Sequence, residues 1–140
     1  MLLFKVNSEA KKKLCFFAIG GVGYGIIELM WRGYTHWTMI LAGGVCFVIF
    51  SEIADKFRYK PLIYKVALAA LGVTAVEFIF GIVFNLIFKM NVWDYSEMPF
   101  NLFGQICPLF TLAWGVVALI FIPLADVLNK VIGRESREAN

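Results

Sequence analysis

The sequence predicts an all-α, polytopic membrane protein built as a bundle of four transmembrane helices. Three observations lead to this prediction. Hydrophobic residues make up 61% of the 140 residues and charged residues only 16%, whereas a soluble domain carries about 25% charged residues. The charges are clustered along the chain. Between the clusters run four apolar stretches, each near the roughly 20 residues that a helix needs to cross a bilayer.

These stretches divide the chain into a transmembrane domain, residues 14–125, and two polar ends. A segment of residues 1–13 precedes the first span, and a tail of residues 126–140 follows the last. We expect the first stretch to be kept as a helix rather than cleaved as a signal peptide, because it is long, contains Glu28 and lacks a small-residue cleavage site. The predicted spans are 14–31, 37–53, 62–88 and 100–125.

Polar residues between the spans indicate where the helices begin and end. The turn between spans one and two is very short, and Pro61 suits the start of span three. Residues 89–99 form the longest irregular connection. Pro108 leaves an alternative open, in which Pro99–Pro108 dips into the membrane as a re-entrant piece ahead of the true span.

The distribution of Lys and Arg predicts the orientation of the bundle. Of the 13 basic residues, only Arg32 and Lys89 lie on the side of the first and third connections. Because basic residues in short loops mark the cytoplasmic face, we expect both termini in the cytoplasm and a multi-pass protein of the cell membrane. The basic residues flank the spans, so they give no reason to expect a nucleic-acid partner.

A faint internal repeat relates the two halves of the chain. A glycine precedes a glutamate by five residues in spans one and three, and a glycine precedes a cysteine by three in spans two and four. Duplication would give a parallel two-helix repeat about an axis along the membrane normal. Chance matches in so apolar a sequence are the alternative. The matched pairs are Gly23 and Glu28, Gly72 and Glu77, Gly43 and Cys46, and Gly104 and Cys107.

Glu77 is the residue whose burial is most costly. It lies twelve residues from the basic residue at either flank of its span, which is roughly 18 Å along a helix and near the midplane. An acid at that depth costs at least about 2.5 to 3.5 kcal/mol. Steps of three and four place Thr74, Gly81 and Asn85 on the same helix face, which we expect to face the bundle interior or a partner chain.

Glu28 is predicted toward the outer side of span one. It lies four residues before Arg32 and four after Tyr24, so the three share a helix face and Glu28 can pair with Arg32. We interpret Glu28 and Glu77 as candidates for a cation, proton or polar-substrate site inside the bundle. The alternative is a structural role, in which a buried acid is neutral or hydrogen-bonded to a neighbouring helix.

Small residues predict close helix packing. Gly21 and Gly25 form a G-x-x-x-G pair on span one, a spacing that lets helices approach closely. On span four, a stripe of small residues includes Gly104 and Gly115. The predicted packing glycines are Gly21, Gly25, Gly81, Gly104 and Gly115.

The sequence holds no recognisable catalytic or cofactor motif. It has no Ser/His/Asp or Cys/His arrangement, phosphate-binding loop or metal-ligand spacing, and its one histidine, His36, makes a poor metal site alone. We therefore expect no catalytic residues, no metal and no cofactor. A membrane enzyme, for instance one that acts on lipids, is an alternative that this inventory disfavours.

A string in the last connection resembles a known family. It reads Trp93-Asp94-Tyr95-Ser96, Pro99-Phe100-Asn101-Leu102 and Gly104-Gln105-Ile106-Cys107, and stands with Tyr24-Gly25-x-x-Glu28 and Glu77-x-x-x-Gly81. The chain resembles the ABC-transporter type IV (CmpB-like) membrane proteins, which include the transmembrane protein 229 group, over roughly Gly20 to Trp114. The resemblance implies an ABC permease role. Any ATPase would be a separate partner subunit, because this chain has no Walker A motif of its own.

The resemblance also implies that this connection and the start of span four form a defined element. Trp93 and Tyr95 are expected to anchor it at the membrane interface. Asn101 and Gln105, one helical turn apart, are expected to line an outer vestibule together with Asp94 and Glu28. The candidate pathway residues are Glu28, Glu77, Tyr24, Arg32, Asn85, Asp94, Asn101 and Gln105.

We expect a small membrane transport component, either a permease-like subunit or a small pathway for an ion, proton or solute. Four short helices barely enclose a path for more than a small ion, so a homo-oligomer or a second membrane protein is expected to complete it. The alternative is a non-transporting adaptor or regulatory subunit that assembles with another membrane protein. A continuous wet cavity at Glu77 would favour transport, and a Glu77 sealed by hydrogen bonds would favour a structural role.

Overall fold

The computed structural model describes residues 2–138 and contains four long helices. They are α1 (Leu2–Arg32), α2 (Trp37–Lys56), α3 (Leu62–Phe80) and α4 (Pro108–Glu138), with a π-helical segment, Gly81–Ile87, continuing α3. The described residues form no strand, which confirms the all-α prediction. Four segments are long and apolar enough to cross a membrane: Asn7–Arg32, Trp37–Lys56, Leu62–Ile87 and Pro108–Arg134.

Local sequence signals explain where the helices begin and end. After α1, Gly33 has a φ of +77°, a left-handed conformation that glycine adopts without steric cost. His36 caps α2, because its Nδ1 accepts the backbone N–H of Thr38 at 3.3 Å. Pro61 stands directly before α3 and Pro108 is the first residue of α4, where the missing proline N–H breaks no helical hydrogen bond.

The fourth helix differs most from its prediction. The sequence placed this span over residues 100–125, whereas the helix begins at Pro108 and continues to Glu138. Phe100 and Phe103 have φ values of +57° and +54°, which a right-handed helix cannot accommodate. The polar tail that the sequence set apart is therefore largely helical, and the residues before Pro108 belong to the preceding connection.

Residues 88–107 form this non-helical connection, here called the cap segment. Gly104 lies within it, with a φ of +70°, and not on the face of α4 where the sequence placed it with Gly115. Asn101 and Gln105, expected one helical turn apart on span four, also lie in the cap segment. The helical spacing fails here because left-handed residues bend the chain away from a helix.

α2 is the central helix and packs against each of the other three. Its contact with α1 depends on glycines. A Cβ added at Gly43 would lie 2.4 Å from the Cβ of Tyr24 and 2.9 Å from the carbonyl oxygen of Gly20. A Cβ added at Gly21 or Gly25 would meet α2 at 2.9 or 3.5 Å. Small residues thus let the two helices approach closely. In lipid, which gives no hydrophobic driving force between helices, such close van der Waals packing holds them together.

The hydrophobic core lies away from the cap segment, toward the end of the bundle that holds the turn between α2 and α3. There α2 and α4 are also joined by polar contacts, since Ser51 Oγ donates to Asn129 Oδ1 at 3.0 Å and Asn129 Nδ2 donates to the Ser51 carbonyl at 3.2 Å. The core residues are Phe16, Phe47, Phe50, Ala54, Val66, Ala69, Val73, Ala118, Ile122 and Ala125.

Replacing Gly43 by alanine should destabilise the bundle. The new methyl group would overlap Tyr24 and the Gly20 carbonyl, and overpacking of this kind costs about 1–3 kcal/mol. The measurement is the free energy of unfolding by SDS titration in mixed micelles. Gly23→Ala is the matched control, because a Cβ at Gly23 meets no atom within 4 Å. Equal stability of the two variants would rule out the close contact between α1 and α2.

Candidate functional site

Glu77 lies on α3 inside the bundle, and both oxygens of its carboxyl group accept a hydrogen bond. The Tyr95 hydroxyl donates to Oε1 at 2.7 Å, and the Trp114 indole N–H donates to Oε2 at 3.1 Å. The residue is only 9% exposed. In the described part of the chain no basic side chain pairs with it. Two neutral donors therefore satisfy this buried acid without a counter-charge, as a buried polar group requires.

The predicted stripe on α3 faces α4 and the cap segment. One turn before Glu77, the hydroxyl oxygens of Thr74 and Thr111 lie 2.9 Å apart between α3 and α4. One turn after it, Gly81 leaves room for a side chain of the cap segment. A Cβ at Gly81 would lie 2.6 Å from Oε1 of Gln105. The polar and small residues of α3 thus point toward protein rather than toward lipid.

Asn85 and Gln105 fasten the cap segment to the π-helical end of α3. The Asn85 amide donates to the carbonyl of Trp93 at 3.1 Å and to Oε1 of Gln105 at 2.9 Å, and it accepts the Val92 N–H at 2.7 Å. The Trp93 indole donates to the Gln105 carbonyl at 3.0 Å. Gln105 is 4% exposed. This network holds the backbone that carries Tyr95 toward Glu77.

Asp94 and Asn101 shape the turns of the cap segment itself. Asp94 Oδ1 accepts the Ser96 N–H at 2.9 Å, an Asx turn, and this hydrogen bond lowers the pKa of the Asp94 carboxyl group. Asn101 donates to two carbonyls of the segment at 3.0 and 2.8 Å and accepts the Gly104 N–H at 2.9 Å. Both residues are engaged within the segment, whereas the sequence expected them in a vestibule with Glu28.

Glu28 pairs with Arg32, one turn later on α1, as the spacing of four residues predicted. Arg32 Nε donates to Glu28 Oε2 at 3.0 Å, and Nη2 contacts the same oxygen. The Arg32 guanidinium also lies over the ring of Tyr34, 4.7 Å from its centre. Tyr24 on the same helix faces α4, with its ring 6.3 Å from that of Trp114. The two predicted acids are therefore held in different ways, Glu28 by a cation and Glu77 by neutral donors.

Beside Glu77 lies a cavity of about 380 Å³ that all four helices line. Its wall is almost entirely apolar. Among the lining side chains of residues 2–138, Glu77 is the only carboxylate, and Tyr24, Trp93 and Trp114 stand in the same wall. The cavity is thus an apolar space with one acidic group and several aromatic rings.

The cavity opens on the flank of the bundle between α1 and α4. Lining residues of both helices are exposed there: Ile27 and Trp31 on α1 are 47% and 87% exposed, and Leu124 on α4 is 43% exposed. α1 packs mainly on α2 and contributes little direct contact to α4. The opening therefore lies along helices that are long and apolar enough to cross a membrane.

The structure offers little for metal or thiol chemistry. The three cysteines are free, and Cys46 lines the cavity. In the described ranges, no three His, Cys, Asp or Glu side chains gather as a metal site requires. The site can bind through hydrogen bonds, charge and apolar contact.

Sequence reasoning did not single out Trp114. Its signal was nonetheless present, because Trp114 follows Thr111 by three residues and precedes Gly115, on the small-residue stripe of α4. An indole N–H within an apolar span needs an acceptor, and the nearest span offered Glu77. Tyr95, expected as an interfacial anchor, also belongs to this site.

The chain has four helices that are apolar and long enough to cross a membrane, and hydrogen bonds within the bundle satisfy the buried Glu77. These features define a multi-pass membrane protein. The profile of the family described as "Putative ABC-transporter type IV" matches residues 14–138, and the chain belongs to this family, which confirms the resemblance. The match extends from α1 through the cap segment to the end of α4. No curated protein and no solved structure matches the chain.

Asn85→Asp should loosen the cap segment. The substitution keeps the shape and the acceptor for Val92 but removes the two donated hydrogen bonds. Loss of such bonds at buried partners costs about 1–3 kcal/mol, so exchange of the segment's amides should accelerate roughly tenfold or more. Hydrogen exchange read by mass spectrometry measures this. Asn129→Asp, far from the segment, is the control, and equal exchange in both variants would contradict the role of Asn85.

Tyr95 should stay protonated well into the alkaline range. Burial, and then the neighbouring Glu77, raise the pKa of its hydroxyl because both disfavour a phenolate. The difference in absorbance at 295 nm between the unsubstituted protein and Tyr95→Phe should therefore show no step near pH 10, the ordinary value. In SDS-unfolded protein the step should return. A step near pH 10 in the folded protein would mean that Tyr95 does not reach Glu77.

Proposed function

We propose that this protein is a membrane-embedded subunit of a transport assembly and that it holds a lipophilic substrate in the apolar cavity beside Glu77. The observation that carries the proposal is the cavity itself, about 380 Å³ in volume with one carboxylate in its wall. Ligand sites are typically apolar spaces of roughly 300–1,000 Å³ with a few polar groups that orient the ligand. The cavity fits that description.

The same geometry weighs against an aqueous path for an ion or proton, which the sequence left open. Such a path needs polar groups or water along its length, and the lining is almost entirely apolar. A substrate that prefers lipid to water needs no aqueous path, because it reaches an opening on the lipid-facing flank directly.

Partners are part of the proposal. The cavity that the four helices line is only about 380 Å³, so movement of a substrate across the membrane calls for a second copy or another membrane protein. The family's name refers to ABC transporters. Because this chain's sequence contains no nucleotide-binding motif, a separate ATPase subunit would hydrolyse ATP and supply the energy. We place the assembly in the cytoplasmic membrane with both termini inside, on the strength of the basic-residue distribution.

A second candidate function is a non-transporting adaptor. The observation that favours it is the full hydrogen bonding of Glu77, which by itself explains why an acid is tolerated inside the bundle. An adaptor, however, has no need of an apolar cavity beside that acid. The two functions differ in what they predict when the cavity is filled: transport is lost if the protein is a transport subunit, and nothing changes if it is an adaptor.

Filling the cavity through Gly23 should abolish transport. Gly23 lines the cavity, and a Cβ there meets no atom within 4 Å, so Gly23→Leu adds side-chain volume at a position whose Cβ has room. In the protein's own host, with the chromosomal copy replaced so that partners are present, we expect protein-dependent accumulation or export of at least one compound from a panel of radiolabelled neutral, cationic and anionic lipophiles. Gly23→Leu should reduce it to the level of cells lacking the protein.

Gly133→Leu is the matched control for that experiment. Gly133 is a helical glycine on α4 whose added Cβ also meets no atom within 4 Å, and it does not line the cavity. It should transport like the unsubstituted protein. A panel in which no compound depends on the protein, or in which Gly23→Leu behaves like Gly133→Leu, would overturn the transport proposal and leave the adaptor function.

A further inference from the structure

We propose that the cavity beside Glu77 binds a lipophilic monovalent cation, such as a quaternary ammonium or phosphonium ion with apolar substituents. The inference rests on the proposed function, because it names the substrate class of the same cavity. Four features of the cavity lead to it: an acid without a counter-charge, aromatic rings around that acid, the scarcity of other polar groups, and an opening to lipid.

The first feature is that, in the described part of the chain, no basic side chain pairs with the Glu77 carboxyl group. Its two donors, the Tyr95 hydroxyl and the Trp114 indole, are neutral. An ionised carboxylate has about four acceptor positions, so two remain after these bonds. Glu28 provides a contrast within the same chain, because Arg32 supplies its counter-charge. A bound cation would provide Glu77 with a counter-charge, as Arg32 does for Glu28.

The second feature is the set of rings in the cavity wall. Tyr24, Trp93 and Trp114 line the cavity together with Glu77, and the rings of Tyr24 and Trp114 lie 6.3 Å apart. The faces of aromatic rings attract cations, tryptophan most strongly, and clusters of such rings recognise quaternary ammonium groups. An acid and several rings in one wall form a site for a positive charge that carries no hydrogen-bond donor.

The third feature excludes other cations and polar solutes. Apart from Glu77 and the Tyr24 hydroxyl, the wall offers almost no polar surface. A metal ion or a primary ammonium group would lose its hydration there and find too few oxygen ligands to replace it. A cation whose charge is surrounded by apolar groups loses much less on leaving water, and its substituents gain contact with the apolar wall.

The fourth feature is the route from the membrane. Exposed lining residues of α1 and α4, among them Ile27 and Leu124, mark an opening on the flank of the bundle. A lipophilic cation concentrates in the bilayer, so it would reach this opening from the lipid. Glu77, on α3, lies in the wall of the cavity that this opening enters.

Equilibrium binding of radiolabelled methyltriphenylphosphonium to the full-length protein in nanodiscs tests the inference. Nanodiscs without protein give the background from lipid partitioning. Triphenylphosphine oxide is a neutral competitor of similar shape, and we expect it to compete at least roughly tenfold more weakly than the unlabelled cation, because it lacks the charge that Glu77 and the rings attract. Equal competition by the two compounds would overturn the inference.

Two substitutions locate the bound cation. Gly23→Leu should abolish specific binding by filling the cavity, and Gly133→Leu should leave it unchanged. Glu77→Gln keeps the side chain's shape and should weaken cation binding at least roughly tenfold. If Glu77→Gln does not fold, the two leucine variants still decide the question. Binding that Gly23→Leu leaves intact would overturn the proposed site.

The binding and transport experiments can fail separately. If the nanodisc protein binds the cation through the cavity but no panel compound moves in cells, the site stands and the transport proposal fails. If cells transport only neutral or anionic compounds and the nanodisc protein ignores the cation, the transport proposal stands and the cation inference fails.

Discussion

The burial of Glu77 is the constraint on which the rest of the structure depends. A carboxyl group within an apolar bundle has no water to bind, so the protein must bring donors to it. One donor, Trp114, comes from the adjacent helix, and the other, Tyr95, comes from a connection that has to reach inward to supply it. The position of α4 relative to α3 and the fold of the cap segment both follow from this requirement.

The cap segment places non-helical backbone close to the bundle so that Tyr95 can contact Glu77. Non-helical backbone close to an apolar bundle is tolerated only where its polar groups are satisfied by protein. Asn85 and Gln105 meet that demand with side-chain amides, and Gly81 leaves the space in which Gln105 sits. The π-helical turn at Gly81–Ile87 carries Asn85 against the segment. The end of α3 and the cap segment are therefore a single unit, and Glu77 lies beneath it.

Hydropathy and charge predicted the helices well because both properties are local. Residues close together in sequence determine an apolar span and the basic residues that flank it. They also determine an ion pair between residues four apart, such as Glu28 and Arg32. The partners of Glu77 lie 18 and 37 residues away on other elements, so the spacing within one helix does not pair them with it. The start of α4 was misplaced for a related reason, because Phe100 and Phe103 look like span residues by hydropathy while their left-handed backbone depends on contacts inside the folded cap segment.

The cavity follows from the same small residues that hold α1 against α2. Gly20 and Gly43 draw these two helices together and leave α1 with little contact to α4, and Gly23 contributes no side chain to the gap. In water such an apolar opening would be costly, but lipid chains fill it at little expense, because they are as apolar as the wall. Apolar volume alone therefore does not make this gap a site. The acid in its wall sets this gap apart, because nothing in lipid compensates a carboxylate, and its two donors have to come from the cap segment and from α4.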